Sequence, residues 1–260
     1  MKDFISEYWS HQALKEKQKP EASWGDVHMM ALEVNGIKKF IKNGDVILDA
    51  GCANGFSMEK MFTRESRNKL VAFDYVEEMV KNAQKRIRAK GYRNLSSNIY
   101  RADIRKIPED SNVFDVVYTI RVLINLPHWQ EQKKAIKELI RVTRPGGLVI
   151  ISEAFWGALQ NLNAIRLIAG LEPLVEHDFN RYLKEKKLEE YLDQSKVSYK
   201  VNLFSSFYYL GTRFIRDLNP SLPAGFNKEI NKDFFKLSQK YSGSDFGIQK
   251  QYILTKWGQS

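Results

Sequence analysis

The chain has 260 residues, 43% hydrophobic and 28% charged, with a net charge of +10. These are the proportions of one large globular domain. A single cysteine, Cys52, excludes an intramolecular disulfide scaffold. No apolar run reaches the roughly 18 residues that a membrane span needs. The start, Met1-Lys2-Asp3-Phe4, lacks a signal-peptide pattern, so a cytoplasmic location is expected.

Positions 1–44 read as a polar, helix-like segment broken at Lys19-Pro20 and at Ser23-Trp24-Gly25-Asp26. Val46–Leu48 is a short apolar strand bounded by Asn43-Gly44 and Gly51, with a helix from about Phe56. Leu70–Phe73 is a second strand, and Val76–Lys90 is a long helix closed by Gly91. Asn98–Tyr100 and Phe114–Ile120 are the third and fourth strands. Trp129–Val142 is an amphipathic helix with Ala135, Ile136, Leu139, Ile140 and Val142 inward. Pro145-Gly146-Gly147 predicts a turn into a fifth strand, Leu148–Ile151. Strands of this kind, alternating with helices, predict a parallel sheet covered on both faces.

Beyond Ser152 the rhythm breaks. Gly157–Phe179 is interrupted by Pro173, a helix follows over Asn180–Asp193, and Val201–Phe204 and Gln251–Lys256 are further strands. The expected organisation is one domain. Residues 45–152 form a ligand-binding core, 153–200 a helical cap inserted after the fifth strand, and 201–260 the strands and helix that complete the sheet. The charge excess sits mainly between positions 51 and 150, much of it on Lys81–Arg93. That stretch reads as the solvated face of a helix, so charge alone does not identify a nucleic-acid partner.

The sharpest signal is Asp49-Ala50-Gly51-Cys52-Ala53-Asn54-Gly55, between the first strand and the first helix. Glycines there allow a tight turn and close approach of a ligand. Asp74, at the end of the second strand, is placed to accept hydrogen bonds from a ribose. A dinucleotide site needs G-x-G-x-x-G. The spacing here is Gly51-x-x-x-Gly55, and Asp49 would repel a pyrophosphate while favouring a cationic ligand.

With these residues the sequence resembles the class I S-adenosylmethionine-dependent methyltransferases. Asp49, Gly51 and Gly55 match the family's glycine-rich motif, with Ala53 in place of its middle glycine. Asp74 matches the ribose-binding acid, and Asp103, in Arg101-Ala102-Asp103-Ile104, the adenine-side acid. Phe114–Thr119 matches the fourth strand, and Arg144-Pro145-Gly146-Gly147 the segment before the fifth. Ala22–Asp26 and Arg121–Pro127 fit a small-molecule and glycan-associated subgroup.

The resemblance implies a Rossmann-like, mostly parallel α/β sheet of seven strands, with S-adenosylmethionine as cofactor. It assigns to the cofactor Trp24, Asp49, Gly51, Cys52, Ala53, Gly55, Asp74, Tyr75, Met79, Asp103, Ile104, Ile120 and Arg121. Cys52 reads as a packing residue rather than a nucleophile.

The acceptor must then enter beside strands four and five. Asn161, Arg166, Asn180 and Tyr182 are expected to bind it, a polar set among apolar neighbours. Candidates for a catalytic base are His177, His128 and Glu153; each histidine is alternatively a surface group, and Glu153 a helix cap. No metal site is expected, because no ligands have the spacing for one. The proline-aromatic tetrapeptide of many nucleic-acid methyltransferases is replaced by Thr119-Ile120-Arg121-Val122. A small molecule or sugar is therefore the expected acceptor. An RNA-modifying enzyme and a non-catalytic cofactor-binding module are the alternatives.

Overall fold

The computed structural model describes residues 4–64, 66–91 and 98–258. Strands β1 (Val46–Ala50), β2 (Lys69–Asp74), β3 (Ile99–Arg101), β4 (Phe114–Ile120), β5 (Thr143–Ala154), β6 (Val197–Asn202) and β7 (Gln249–Lys256) form one sheet in the order β3-β2-β1-β4-β5-β7-β6. The first five are parallel, and β7 runs antiparallel between β5 and β6. The strand order reverses between β1 and β4, so a crevice opens at their carboxyl ends.

The helices are α1 (Phe4–Glu16), α2 (Val27–Lys38), α3 (Phe56–Met61), α4 (Glu77–Ala89), α5 (Trp129–Val142), α6 (Trp156–Ile168), α7 (Glu185–Asp193), α8 (Ser206–Leu210), α9 (Arg216–Leu218) and α10 (Glu229–Lys240). Alternation along the strands sends side chains to two cores. On one face Ile47, Val116 and Ile150 pack with Ile37 of α2, Met58 of α3 and Ala83 of α4. On the other, Leu48, Val117 and Val149 pack with Leu139 of α5 and Leu188 and Leu192 of α7. None of the described helices is long and apolar enough to cross a membrane.

Several boundaries differ from those expected. Pro145-Gly146-Gly147 does not turn out of the sheet: β5 starts at Thr143 opposite Phe114 and regains register at Leu148 opposite Val116. Gly146, at φ +75, absorbs the irregularity as a bulge does. The strand expected over Val201–Phe204 is Val197–Asn202, and Phe204 instead joins an apolar cluster with Met29, Leu159 and Tyr208. The helix expected from Asn180 begins at Glu185, because Leu183 bridges to Phe155 beside the sheet. The basic stretch Lys81–Arg93 follows α4, and its last two residues, Tyr92 and Arg93, lie outside the described residues.

Within 153–200, α7 covers the sheet, and α6 with the loop after it overhangs the crevice. A second cover, not separated in the sequence reading of 201–260, lies between β6 and β7. It consists of α8, a π-helical turn Gly211–Ile215, α9 and α10.

The turn after β1 is left-handed three times, at Gly51 (φ +95), Ala53 (φ +46) and Gly55 (φ +78). A Cβ at Gly51 would lie 2.2 Å from Val122 Cγ2, so this position admits only glycine. Ala53 holds its conformation against a cost of about 1–2 kcal/mol. We expect Ala53→Gly to stabilise the fold by about 0.5–1 kcal/mol, the relief being partly offset by glycine's greater unfolded-state entropy. Thermal unfolding should show a Tm higher by about 2 °C; a lower Tm would mean that packing of the Ala53 methyl outweighs the strain.

Candidate active site

A cleft of about 730 Å³ opens over the carboxyl ends of the central strands, within the size range of small-ligand pockets. One end is walled by Asp49, Gly51, Cys52, Ala53, Asp74, Tyr75, Met79, Asp103 and Ile104. Past Ile120 and Arg121 it continues into a chamber of Ile124, Ala154, Leu159, Leu174, Tyr182, Tyr209, Arg213 and Ile248. Tyr8 and Trp9 of α1 also line it. Of the residues expected at the cofactor, Gly55 alone stands back from the wall, as the N-cap of α3.

At the first end the chain is stitched to β2. The N–H groups of Gly51 and Cys52 both donate to Phe73 O, at 2.9 and 2.8 Å. Ala53 N–H donates to Asp74 Oδ2 at 2.9 Å, and Val76 N–H to Asp74 Oδ1 at 2.9 Å. Burial pushes the Asp74 carboxyl up to about 6 in spite of these bonds. The Tyr75 backbone N–H also bonds to this carboxylate, whose two oxygens together offer about four lone-pair sites.

Asp49 is buried and accepts from Tyr118 Oη at 2.8 Å; burial pushes it up to about 7. A cation nearby would favour its charged form. Burial also raises the Cys52 thiol well above its ordinary value, which makes it an inert packing group. Burial raises Asp103 as well, but the Arg105 guanidinium, on both its oxygens, outweighs this and holds it below the usual carboxylate range.

The junction with the chamber is built on Arg121, itself left-handed at φ +55. Its guanidinium lies 4.5 Å from the Trp24 ring centroid, and its Nε is 3.5 Å from Glu33 Oε2. Burial pushes Glu33 up to about 7, while Arg121 pulls it down. The sequence reading passed over Glu33, which sits unmarked on an otherwise apolar helix face.

The residues expected to serve the acceptor separate into two groups. His177, Asn180 and Tyr182 line the chamber. Asn161 and Arg166 do not. Asn161 Nδ2 donates to Asp245 O, and buried Arg166 ties Asp217 and the carbonyls of Glu172 and Arg213. Their polar groups are consumed in holding the cover together.

His128 is exposed ahead of α5, off the cleft. Glu153 is fully buried behind the cleft and accepts from Val122 N–H at 2.8 Å and Leu123 N–H at 2.9 Å. It therefore caps the 3-10 turn Leu123–Asn125 from the neighbouring strand. Tyr8, Trp9, Tyr209, Arg213 and Gln249 line the cleft without having been expected there. They come from the two ends of the chain, where no motif marks them.

Burial pushes Glu153 up to about 8, above its unfolded value of about 4.3. The stability it contributes is thus fully present below the unfolded value and is lost as pH rises through about 8. Glu33 and Asp49, each raised to about 7, act with the same sign. Glu153→Gln keeps an acceptor oxygen and removes the ionisation. Urea unfolding from about pH 6 to pH 9 should show a shallower loss of stability in Glu153→Gln than in the parent; identical slopes would contradict the assignment.

Comparison with known proteins places this geometry in a family. The sequence pattern of the family described as "Methyltransferase domain" matches residues 41–196. An uncharacterized methyltransferase, YdaC, of Bacillus subtilis is 32% identical over 112 residues, 43% of this chain and 58% of the relative. The malonyl-[acyl-carrier protein] O-methyltransferase of Buchnera aphidicola is 33% identical over 117 residues, 45% of this chain and 42% of the relative. The matched stretch thus spans about half the length of these curated relatives.

In fold, the chain is similar to the geranyl diphosphate C-methyltransferase of Streptomyces coelicolor. The TM-score is 0.58 at 13% identity, covering 96% of this chain and 95% of the other. The cradle at Asp49–Gly55, the carboxylate of Asp74 and the family match over the whole parallel core agree. The chain belongs to the methyltransferase-domain family, with the class I fold.

Proposed function

We propose that the chain transfers the methyl group of S-adenosylmethionine to a hydroxyl or amine of a small molecule or sugar, by in-line displacement. The observation that carries this reading is the shape of the cleft. A single cleft is lined both by Asp74 at the end of β2 and by Leu159, Tyr182 and Ile248 of the segments that follow β5. In-line displacement needs the nucleophile held opposite the leaving group, and such alignment contributes up to about 7–11 kcal/mol. The cofactor supplies an electrophilic methyl on a sulfonium; the chain binds, orients and excludes water.

In this reading Asp74 accepts from the ribose hydroxyls, with Tyr75, Met79, Asp103 and Ile104 around the base. Asp49, the Gly51–Ala53 backbone, Trp24, Ile120 and Arg121 serve the methionine end. His177 takes the acceptor's proton, and Asn180 and Tyr182 hold the acceptor. His177 has this role over His128 and Glu153 because it alone of the three lines the cleft. The Buchnera relative is by name an O-methyltransferase, which supports an oxygen acceptor.

Two cations at the C-terminal end of α4 are already paired, which weighs against an RNA acceptor. Arg86 is engaged with Glu59, and Lys90 lies 3.0 Å from the same carboxylate. Labelled cofactor should pass its methyl to members of a panel of sugars, phenols and small amines, with little dependence on salt. Transfer to RNA alone, weakening steeply with salt, would overturn the small-molecule reading.

Two variants probe the assigned roles. Asp74→Ala should weaken S-adenosylhomocysteine binding by about 1.5–3 kcal/mol, through loss of charge-assisted hydrogen bonds; calorimetric titration reads this, and an unchanged Kd would remove Asp74 from the ribose. His177→Ala should lower turnover at least tenfold, about 1.4 kcal/mol. Its cofactor affinity should stay within about 0.5 kcal/mol. Near-normal turnover in this variant would show that His177 only packs in the wall.

A further inference from the structure

The inner chamber holds a second guanidinium that the methyl-transfer reading leaves without a role. Arg213 lines the cleft on the far side from Asp74, on the cover between β6 and β7. It is carried on the π-helical turn Gly211–Ile215, a conformation that is rare and concentrates at functional sites. The turn is pressed onto α10: a Cβ at Gly211 would fall 2.1 Å from Phe234 Cγ. From this base Tyr209 and Arg213 both reach the chamber.

The Arg213 guanidinium is oriented from behind and from its flanks. It lies 5.1 Å from the Phe226 ring centroid and 5.9 Å from that of Tyr209. Its Nη2 is 3.7 Å from Asp26 Oδ2, beyond hydrogen-bond reach. Asp26 Oδ1 accepts from Tyr208 Oη at 2.6 Å and from Met29 N–H at 3.2 Å, which leaves Oδ2, buried and without a hydrogen-bond partner, as a loose counter-charge behind the guanidinium. Of Arg213's five N–H donors, one is directed at Thr212 O, at 3.3 Å. Tyr182, Tyr209, Leu159, Ile248 and Gln249 line the same cleft, the last accepting from Tyr209 Oη. Glu176, which also lines the cleft, is turned toward the Tyr182 N–H, 3.4 Å from its Oε2, and toward Arg181, 3.9 Å from its Oε1.

A stacked, partly buried guanidinium with free donors in an apolar chamber is a site for a planar or tetrahedral oxyanion. We propose that Arg213 binds a carboxylate or phosphate group of the methyl acceptor, so that the acceptor is an acid with an apolar body. The inference rests on the reading of the cleft as the methyl-transfer site. Arg213 would hold the acceptor at the end remote from the reacting atom, and Asp26 behind it would lower the cost of keeping the guanidinium buried before the acceptor arrives.

The test uses the full chain saturated with S-adenosylhomocysteine and two matched probe sets. One set is 4-hydroxyphenylacetate, 4-hydroxyphenyl phosphate and the neutral 4-hydroxyphenylacetamide; the other is octanoate, octyl phosphate and octanamide. In at least one set an acid should bind at least tenfold more tightly than its amide, and the order of carboxylate and phosphate identifies which oxyanion the site prefers. Arg213→Gln should abolish the preference, and Arg213→Lys should keep part of it. Both variants should bind S-adenosylhomocysteine within twofold of the parent. An acid preference in neither set, or one that survives in Arg213→Gln, overturns the inference while leaving methyl transfer intact. Failure of the parent to bind S-adenosylhomocysteine overturns the methyl-transfer reading and this inference with it.

Discussion

The structure of the site depends on one junction, where the left-handed turn after β1 is bonded to the end of β2. Two successive N–H groups share the Phe73 carbonyl, and the third, from Ala53, reaches the Asp74 carboxylate. This is possible only because the backbone turns left-handed at Gly51 and Ala53, which aims consecutive amides to one side. The same bonds that fix the turn therefore fix the carboxylate over it. The next residue extends the constraint outward: Asn54 Nδ2 donates to the carbonyls of Lys17 and Lys19, both at 2.9 Å. The N-terminal segment is thereby tied to the turn, and Tyr8 and Trp9 are brought to the mouth of the cleft.

The chamber is assembled from pieces far apart in sequence. Tyr8 lies 4.7 Å from Phe179, and Phe179 lies 4.3 Å from His177, between ring centroids. This aromatic contact joins α1 to the loop after α6, with both ring pairs tilted. Deeper in, the charges occur as loose pairs, Arg121 with Glu33 and Arg213 with Asp26. Buried pairs of this kind cost desolvation and add little to stability. Their value lies in holding cations at set positions in an apolar space, where they act on a ligand with little screening.

The core of the fold was legible because its signals are local. Short apolar strands, a glycine at each sharp turn and a helix stop at Gly91 need no knowledge of the rest of the chain, and β4 and α5 have the expected bounds. One wall of the cleft was legible for the same reason: Asp49, Gly51, Asp74 and Asp103 stand at or just past strand ends and line it. Beyond β5 the determinants are tertiary. Residues 180–184 carry no strong breaker against a helix, but the Leu183–Phe155 bridge holds them extended. Asn161 and Arg166 look like binding groups by type, yet partners remote in sequence consume them. Glu153 is hidden by its caps on Val122 and Leu123, and Arg213 reaches the chamber through a π turn that periodicity does not foresee.

Selection of an adenosyl sulfonium over a dinucleotide by the turn at Gly51–Gly55 and the carboxylate of Asp74 is the property on which the proposed site stands. Calorimetric titration of the full chain with S-adenosylhomocysteine and, separately, with NAD tests it most directly. One saturable site for S-adenosylhomocysteine and no measurable binding of NAD are expected. Saturable binding of NAD with none of S-adenosylhomocysteine would contradict it.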